Sequence, residues 1–500
     1  MSKLSRFWLV GLVWLGAGLR FHSLFFNSFS ADEALFASWA RLIAVWQDPL
    51  LAGQIVDKPP LLFYSQAVFY PLLGAVEWAA RMPNLIASLL LIPMTGLLAW
   101  FLFREEITAL LAAAFVTFSP LAIQFSATAY TDPLLTILLL ASLLPTVSSS
   151  RGQAAGYRPL DTVTGAGIFF GLATATKYQA WLFLPLIVGL ALFKGWKWRA
   201  WRNWLIGLGG ILTLVVAWDV VRTGQITLIG EQLNSYGGLR LAWSWELWPR
   251  LEAWVKLWAY LIDSPLLLFA LLLALPLFFA LLIFEVDRAS SLDQMLVIFF
   301  LGYFAFHWFL AIPTWERYLL PILPIVGLVL SRFVFRLFYF FLPSVPLVTE
   351  YKYVFRRLVW LVPILLVLVQ APSVINAYYG RLPVGGSPKA DEGAAQVANA
   401  LEDAPYGTVL YDHWYSWQWR YHLLDKKVYV SWFSDPDALI DDLSAFASRE
   451  NLNYLAVPNG AESMPVLRRL SQGGFSLQPI NLPDQPNDDP MILLYRIDTD

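Results

Sequence analysis

The sequence predicts a polytopic α-helical membrane protein of about eleven transmembrane helices with a small C-terminal α/β domain outside the membrane. Three observations carry this. Hydrophobic residues make up 58% of the 500 and charged residues only 14%, against about 25% charged in an ordinary soluble domain. The apolar residues come in blocks such as 84–103, each near the ~20 residues that cross a bilayer. After Pro372 the composition turns polar, with turn-rich stretches LPVGGSPK and NLPDQPNDDP.

The first span runs over 7–26 behind Lys3 and Arg6, and with no small-x-small cleavage site it reads as retained. Later spans centre near Leu91, Ala114, Ile137, Phe169, Leu186, Leu212, Leu273, Phe300, Val326 and Leu365. Orientation follows from the loops on the N-terminal side, which carry the basic knots KGWKWRAWR (194–202) and YKYVFRR (351–357) and also Arg151 and Arg158. The opposite loops, to which Arg20 is assigned, are longer and carry fewer cations. The N-terminus is therefore cytoplasmic and the C-terminus extracytoplasmic, in a multi-pass protein of the plasma (inner) membrane.

Two long segments then fall outside, 27–83 and 222–256. Residues 31–46 place Leu35, Trp39, Leu42, Ile43 and Trp46 at helical spacing, and 61–80 reads similarly. Both look like helices lying along the interface. Trp243, Trp245, Trp248, Trp254 and Trp258 suit the headgroup level. The domains are thus 1–372, a membrane domain with interfacial helices in 27–83, and 373–500, a soluble α/β domain. In the latter, apolar runs at 408–412, 427–432, 453–457 and 491–495 alternate with helical patterns.

The composition also excludes. With no cysteine and four scattered histidines, disulfides, iron–sulfur clusters, thiol nucleophiles and a histidine metal centre fall away. No GxxxxGK[ST] or GxGxxG occurs, and a net charge of −2 points to no nucleic-acid partner. Chemistry is left to carboxylates, lysines, arginines and hydroxyls.

A charge in the bilayer costs about 2.5–3.5 kcal/mol, so ionisable groups at span ends are informative. The predicted outer side offers carboxylates Asp32, Glu33 and Asp132 and cations Lys58, Lys177 and Arg317, with Tyr318 beside the last. A carboxylate can take a proton from an attacking hydroxyl, and fixed cations can stabilise a departing phosphate. Each also has a plain structural reading. Asp32 reads equally as a helix N-cap, Glu33 as a first-turn residue and Asp132 as a helix start. Lys58-Pro59-Pro60 reads as a turn with a snorkelling lysine, and Glu77 and Arg81 as an i,i+4 pair. Arg317 suits any lipid headgroup, His307 reads as an interior histidine, and His413 and His422 read as decorating a helix face.

The order of these motifs adds to the single residues. ADEALFASWARLI, DKPPLLFYSQAVFYPLLGAVEWAARMPN, TDP (131–133), GLATATK (171–177) and ERYLLPILP (316–324) together resemble the glycosyltransferase C superfamily. The resemblance is to glycosyltransferase family 39 and relatives, the protein O-mannosyltransferase and lipid A aminoarabinose transferase branch, over roughly residues 1–340. It implies an inverting transfer of sugar from a polyprenyl-phosphate donor to an acceptor hydroxyl or phosphate at the outer membrane face, with no metal and no cofactor. It implies Asp32 as catalytic carboxylate, supported by Glu33, with Asp132 positioning acceptor or donor. It implies Lys58 and Arg317 on the lipid phosphate, joined by Lys177, Tyr318 and Arg81. Tyr178 follows Lys177 where many relatives have glycine. A secondary transporter or lipid flippase stands as the alternative, since it too places charge among apolar helices. A membrane scaffold whose outer domain binds sugar is a third. Transporters usually show repeats, and none is visible here.

Overall fold

The computed structural model describes residues 1–148, 159–235, 240–265, 288–341, 361–446, 451–482 and 491–499, with 269, 276, 279 and 280 between. The chain forms two compact units. One comprises Met1–Phe25 with Ile43–Gly385, the other Phe26–Leu42 with Gly386–Asp500.

The first unit is helical. Among the described residues, Lys3–Phe26, Glu77–Phe103, Thr131–Ser148, Trp198–Thr223 and Ala289–Phe309 are long and apolar enough to cross a membrane. Helices Glu106–Phe118 and Pro120–Ser126 add a sixth if the pair, bent by 55°, is one span. The bend has a local cause. Pro120 holds Ser119 in extended backbone (ψ 117°), and the Ser119 hydroxyl accepts from the Ala122 amide to start the second helix. Helices also lie at the predicted centres Phe169 (Pro159–Thr176), Leu186 (Leu184–Phe193), Val326 (Leu323–Phe341) and Leu365 (Leu361–Tyr378). The span near Leu273, the cluster 351–357, Arg151 and Arg158 lie outside the described residues.

Small residues set the closest packing. A Cβ on Gly167 would lie 2.0 Å from the Trp204 carbonyl oxygen, and one on Gly207 would lie 2.3 Å from that of Thr164. Helices Pro159–Thr176 and Trp198–Thr223 therefore approach backbone to backbone, as small residues permit in lipid. Gly207→Val is expected to force them apart and lower the thermal unfolding midpoint in detergent, at a cost of about 1–3 kcal/mol. An unchanged midpoint would contradict this packing. A second tie is ionic: Asp293 accepts from the Arg332 Nε at 2.8 Å and the Arg336 Nε at 2.6 Å, and all three are buried.

Two local expectations change. Arg20 is not a loop cation. It lies within helix Lys3–Phe26, fully buried, and donates to the Ser88 hydroxyl (2.8 Å) and to the carbonyls of Val116 (2.9 Å), Thr117 and Gly16. A guanidinium with this many acceptors tolerates burial, and hydropathy alone could not count them. Nor is 61–80 one helix. It divides into Leu61–Ala67 and Tyr70–Leu73, ends at Gly74, whose positive φ (87°) suits glycine, and its tail Glu77–Ala80 opens the next span.

The second unit carries a five-stranded mixed sheet: β1 Thr408–Asp412, β2 Val428–Trp432, β3 Asn453–Pro458, β4 Phe475–Ile480 and β5 Ile492–Thr499, in spatial order β2-β1-β3-β5-β4. β1 runs parallel to β2 and β3, while β5 runs antiparallel to β3 and β4. Trp419 and Leu423 pack with Leu410, Ala456 and Leu494 in one core, and Leu439, Leu443 and Leu470 with Leu455 and Val457 in another. β4 alternates over Phe475-Ser476-Leu477-Gln478 and then carries Pro479, which an edge strand tolerates.

Helix Ala31–Ala44 enters this second unit through residues 26–42. Ser28 pairs with Ser387 through backbone and receives the Asp391 amide on its hydroxyl at 3.0 Å. Arg41 donates to the Tyr421 carbonyl and reaches Asp425 at 3.3 Å. His422, at the end of helix Ser416–His422, is half-buried, and desolvation pushes its pKa down to about 4, with nearby Asp391 opposing the effect and Arg41 adding to it. His413 instead lies before that helix and stacks on Trp432 with ring centroids 5.9 Å apart.

Candidate active site

The membrane unit gathers ionisable residues from four stretches of chain. Asp132 opens helix Thr131–Ser148, and its side chain is fully buried. Lys177 stands in extended backbone (φ −162°) between helix Pro159–Thr176 and the 3₁₀ turn Tyr178–Phe183. Its ammonium donates to Asp132 Oδ1 at 2.5 Å and lies 4.4 Å from the centre of the Tyr318 ring. Arg317 and Tyr318 come from the 3₁₀ turn Glu316–Leu319. The Arg317 guanidinium lies 4.8 Å from the Tyr130 ring centre and 4.5 Å from that of Trp315. Lys58 contacts the Asp57 carboxylate, and both Lys58 and Arg317 are close enough to act electrostatically on Lys177. The cations Lys58, Lys177 and Arg317 thus stand with the carboxylates Asp57 and Asp132, and Glu316 precedes Arg317 in the same turn.

The loop before Asp132 is held from two sides. Asn84 donates to the carbonyls of Thr128 (2.8 Å) and Tyr130 (2.7 Å), and Gln66 donates to that of Ala129. Neither was apparent as a site residue in the sequence, although Asn84 directly follows the ARMP string. Arg81 is placed differently from the other cations. Buried in helix Glu77–Phe103, it reaches Glu77 at 3.0 Å and donates to the Leu24 carbonyl. That geometry is the i,i+4 pairing seen as the plain reading of the motif.

Behind Tyr318 sits a polar group that sequence reading did not assemble. Gln179 donates to the Tyr303 hydroxyl at 2.6 Å, and Tyr303 donates to the Tyr318 carbonyl at 2.5 Å. His307, buried, has Nδ1 2.8 Å from the Tyr303 carbonyl, which satisfies the interior-histidine reading. Of the tryptophans assigned to the interface, Trp254 is buried and donates to the His307 carbonyl at 3.0 Å, whereas Trp245 and Trp248 are exposed.

Asp32 and Glu33 lie in the second unit, in the first turn of helix Ala31–Ala44. The Glu33 carboxylate is fully buried and accepts from both the amide (3.1 Å) and the hydroxyl (3.0 Å) of Ser30. This is the glutamate half of a capping box, with Ser30 directly before the helix. Capping therefore runs through Ser30 and Glu33, and the S-x-x-E spacing at 30–33 was the available signal. Asp32 is half-buried beside it.

Apolar spans in one unit, a mixed α/β sheet in the other and a cation-lined carboxylate at the helix ends describe a multi-pass helical membrane protein with an added α/β unit. Residues 57–221 match the family model described as dolichyl-phosphate-mannose-protein mannosyltransferase. The fold is similar to that of ArnT from Cupriavidus metallidurans in the apo state, at 15% identity and TM-score 0.67 over 99% of this chain and 98% of that one. It is also similar to that of ArnT from the same organism bound to undecaprenyl phosphate, at 16% and 0.64 over 98% of each. The archaeal oligosaccharyltransferase AglB from Archaeoglobus fulgidus, solved with an inhibitory peptide and a dolichol-phosphate, matches at 12% and 0.50 over 91% of this chain and 70% of that one. No curated protein sequence matches significantly. The resemblance to the glycosyltransferase C superfamily, in its protein O-mannosyltransferase and aminoarabinose transferase branch, thus holds in the fold and in the family model.

Proposed function

We propose that this chain is an inverting glycosyltransferase that moves a sugar from a polyprenyl-phosphate donor to an acceptor hydroxyl or phosphate at the outer face of the plasma membrane. In this reading about eleven helices span the bilayer, the N-terminus is cytoplasmic and residues 373–500 are extracytoplasmic. The observation that carries the reading is the Lys177–Asp132 pair with Lys58 and Arg317 acting on it. A polyprenyl-phosphate sugar is a phosphodiester with one negative charge, and its release as a monoester adds a second. Cations placed beside apolar helices can hold the first charge and stabilise the second as it develops. The lipid-phosphate and dolichol-phosphate complexes of the two structural neighbours support the same donor class.

Asp32 takes the base role on the place of the DE pair in the motif order. The acceptor O–H gives its proton to the Asp32 carboxylate while the acceptor oxygen bonds to the anomeric carbon. The bond from that carbon to the phosphate oxygen breaks on the opposite side, and its electron pair leaves with the polyprenyl phosphate. Inversion follows from the single displacement. Lys58, Lys177 and Arg317 hold the departing phosphate, with Tyr318 under Lys177, and Glu33 keeps the helix start in place.

Arg317→Ala is expected to raise the donor KM by about 10- to 100-fold, the range for a lost charge-assisted hydrogen bond. The check is a titration of radiolabelled polyprenyl-phosphate sugar with the purified chain in nanodiscs. An unchanged donor KM would contradict the cation assignment.

A further inference from the structure

The Tyr318 ring receives the Lys177 ammonium, and the question is what fixes that ring. Gln179 Nε2 lies 2.6 Å from the Tyr303 hydroxyl, 3.3 Å from His307 Nε2 and 3.4 Å from the Tyr318 carbonyl, while the Tyr303 hydroxyl itself donates to that carbonyl. Three stretches of chain, the turn Tyr178–Phe183, helix Arg288–Phe309 and the turn Glu316–Leu319, meet on one carbonyl group. The arrangement is not one that packing alone would select. Among the described residues, the Gln179 amide oxygen is buried without a hydrogen-bond partner, a penalty that an apolar side chain would avoid.

We propose that Gln179 and Tyr303 are positioning residues for the lipid monophosphate. They hold the Tyr318 carbonyl, the carbonyl fixes the ring, and the ring with Asp132 aims the Lys177 ammonium. Gln179 sits two residues after Lys177, so the same amide also ties down the turn that follows the lysine. Tyr303 in addition lines an apolar cavity of about 670 Å³ with Leu186, Met295, Phe299 and Phe306. Its ring therefore belongs to the apolar wall and its hydroxyl to the brace, and Tyr303→Phe separates the two. The inference rests on the donor-phosphate reading above.

The test is equilibrium binding of radiolabelled undecaprenyl phosphate to the full chain in nanodiscs, with thermal midpoints measured in parallel. Tyr303→Phe and Gln179→Ala are each expected to weaken binding by about three- to tenfold, the loss of one hydrogen bond, at an unchanged midpoint. In an Asp132→Ala/Lys177→Met background, which removes both buried charges, neither substitution should weaken it further, because the brace acts through that ammonium. Unchanged affinity in Tyr303→Phe overturns the proposal. So does an equal loss that persists without Lys177, or one that follows a fallen midpoint, since each describes a merely structural role. Failure of the donor reading has a different signature: the wild type binds no lipid phosphate, or Lys58→Ala binds it as the wild type does.

Discussion

Asp32→Asn is expected to lower sugar transfer by about 10²- to 10⁴-fold, the contribution of a general base. Asparagine keeps the size of the side chain and can still hydrogen-bond, but its amide cannot accept the acceptor's proton. The helix start should survive, because its cap runs through Ser30 and Glu33 rather than Asp32. A Glu33→Gln variant makes the contrast. Its amide oxygen can still accept from Ser30, so transfer should stay within a few-fold of the wild type. Transfer rates with labelled donor, measured at matched amounts of folded protein, separate the two. Full activity in Asp32→Asn would remove Asp32 as the base. A loss in Glu33→Gln as large as that in Asp32→Asn would move the base role to the neighbouring carboxylate.

The second large effect concerns Asp132. Its carboxylate is fully buried and 2.5 Å from the Lys177 ammonium, whose side chain is only 12% exposed. Asp132→Ala leaves that ammonium without its carboxylate. Removing one partner of a buried ion pair costs about 3–5 kcal/mol, so the thermal midpoint and the yield of folded protein should both fall. The double variant Asp132→Ala/Lys177→Met removes both charges and should recover much of the midpoint. It should not recover donor binding, because a cation assigned to the phosphate has gone as well. Equal midpoints for the wild type and Asp132→Ala would show that the pair carries no such energy. A double variant that binds donor normally would take Lys177 out of the phosphate site.

How much of this was legible depends on the range of the interaction. Apolar blocks mark the helices at Leu91, Ile137 and Leu212 directly, because one helix must satisfy its own backbone in lipid. Alternating and short apolar runs mark β1, β2, β3 and β5 in the same local way. β4 escapes notice because its alternating run, Phe475 to Gln478, is only four residues long before Pro479, and its place at the sheet edge is fixed by pairing with β5. Arg20 was misplaced because its acceptors on Val116 and Thr117 are distant in sequence. The cations Lys58, Lys177 and Arg317 stood out as charges beside apolar runs. The pairing of Lys177 with Asp132, and the Gln179–Tyr303–Tyr318 brace, join residues far apart in the chain. Glutamine and tyrosine at span ends are ordinary by composition, so only three-dimensional structure brings them together.

The central claim is most directly tested with a radiolabelled polyprenyl-phosphate sugar and the wild-type chain in proteoliposomes supplied with cell-envelope glycolipids and glycans. The account predicts that label leaves the donor, that one polyprenyl phosphate is released per sugar transferred, and that the new glycosidic bond has the inverted anomeric configuration. Donor that stays chemically intact while crossing from one leaflet to the other would contradict it and make the protein a lipid transporter.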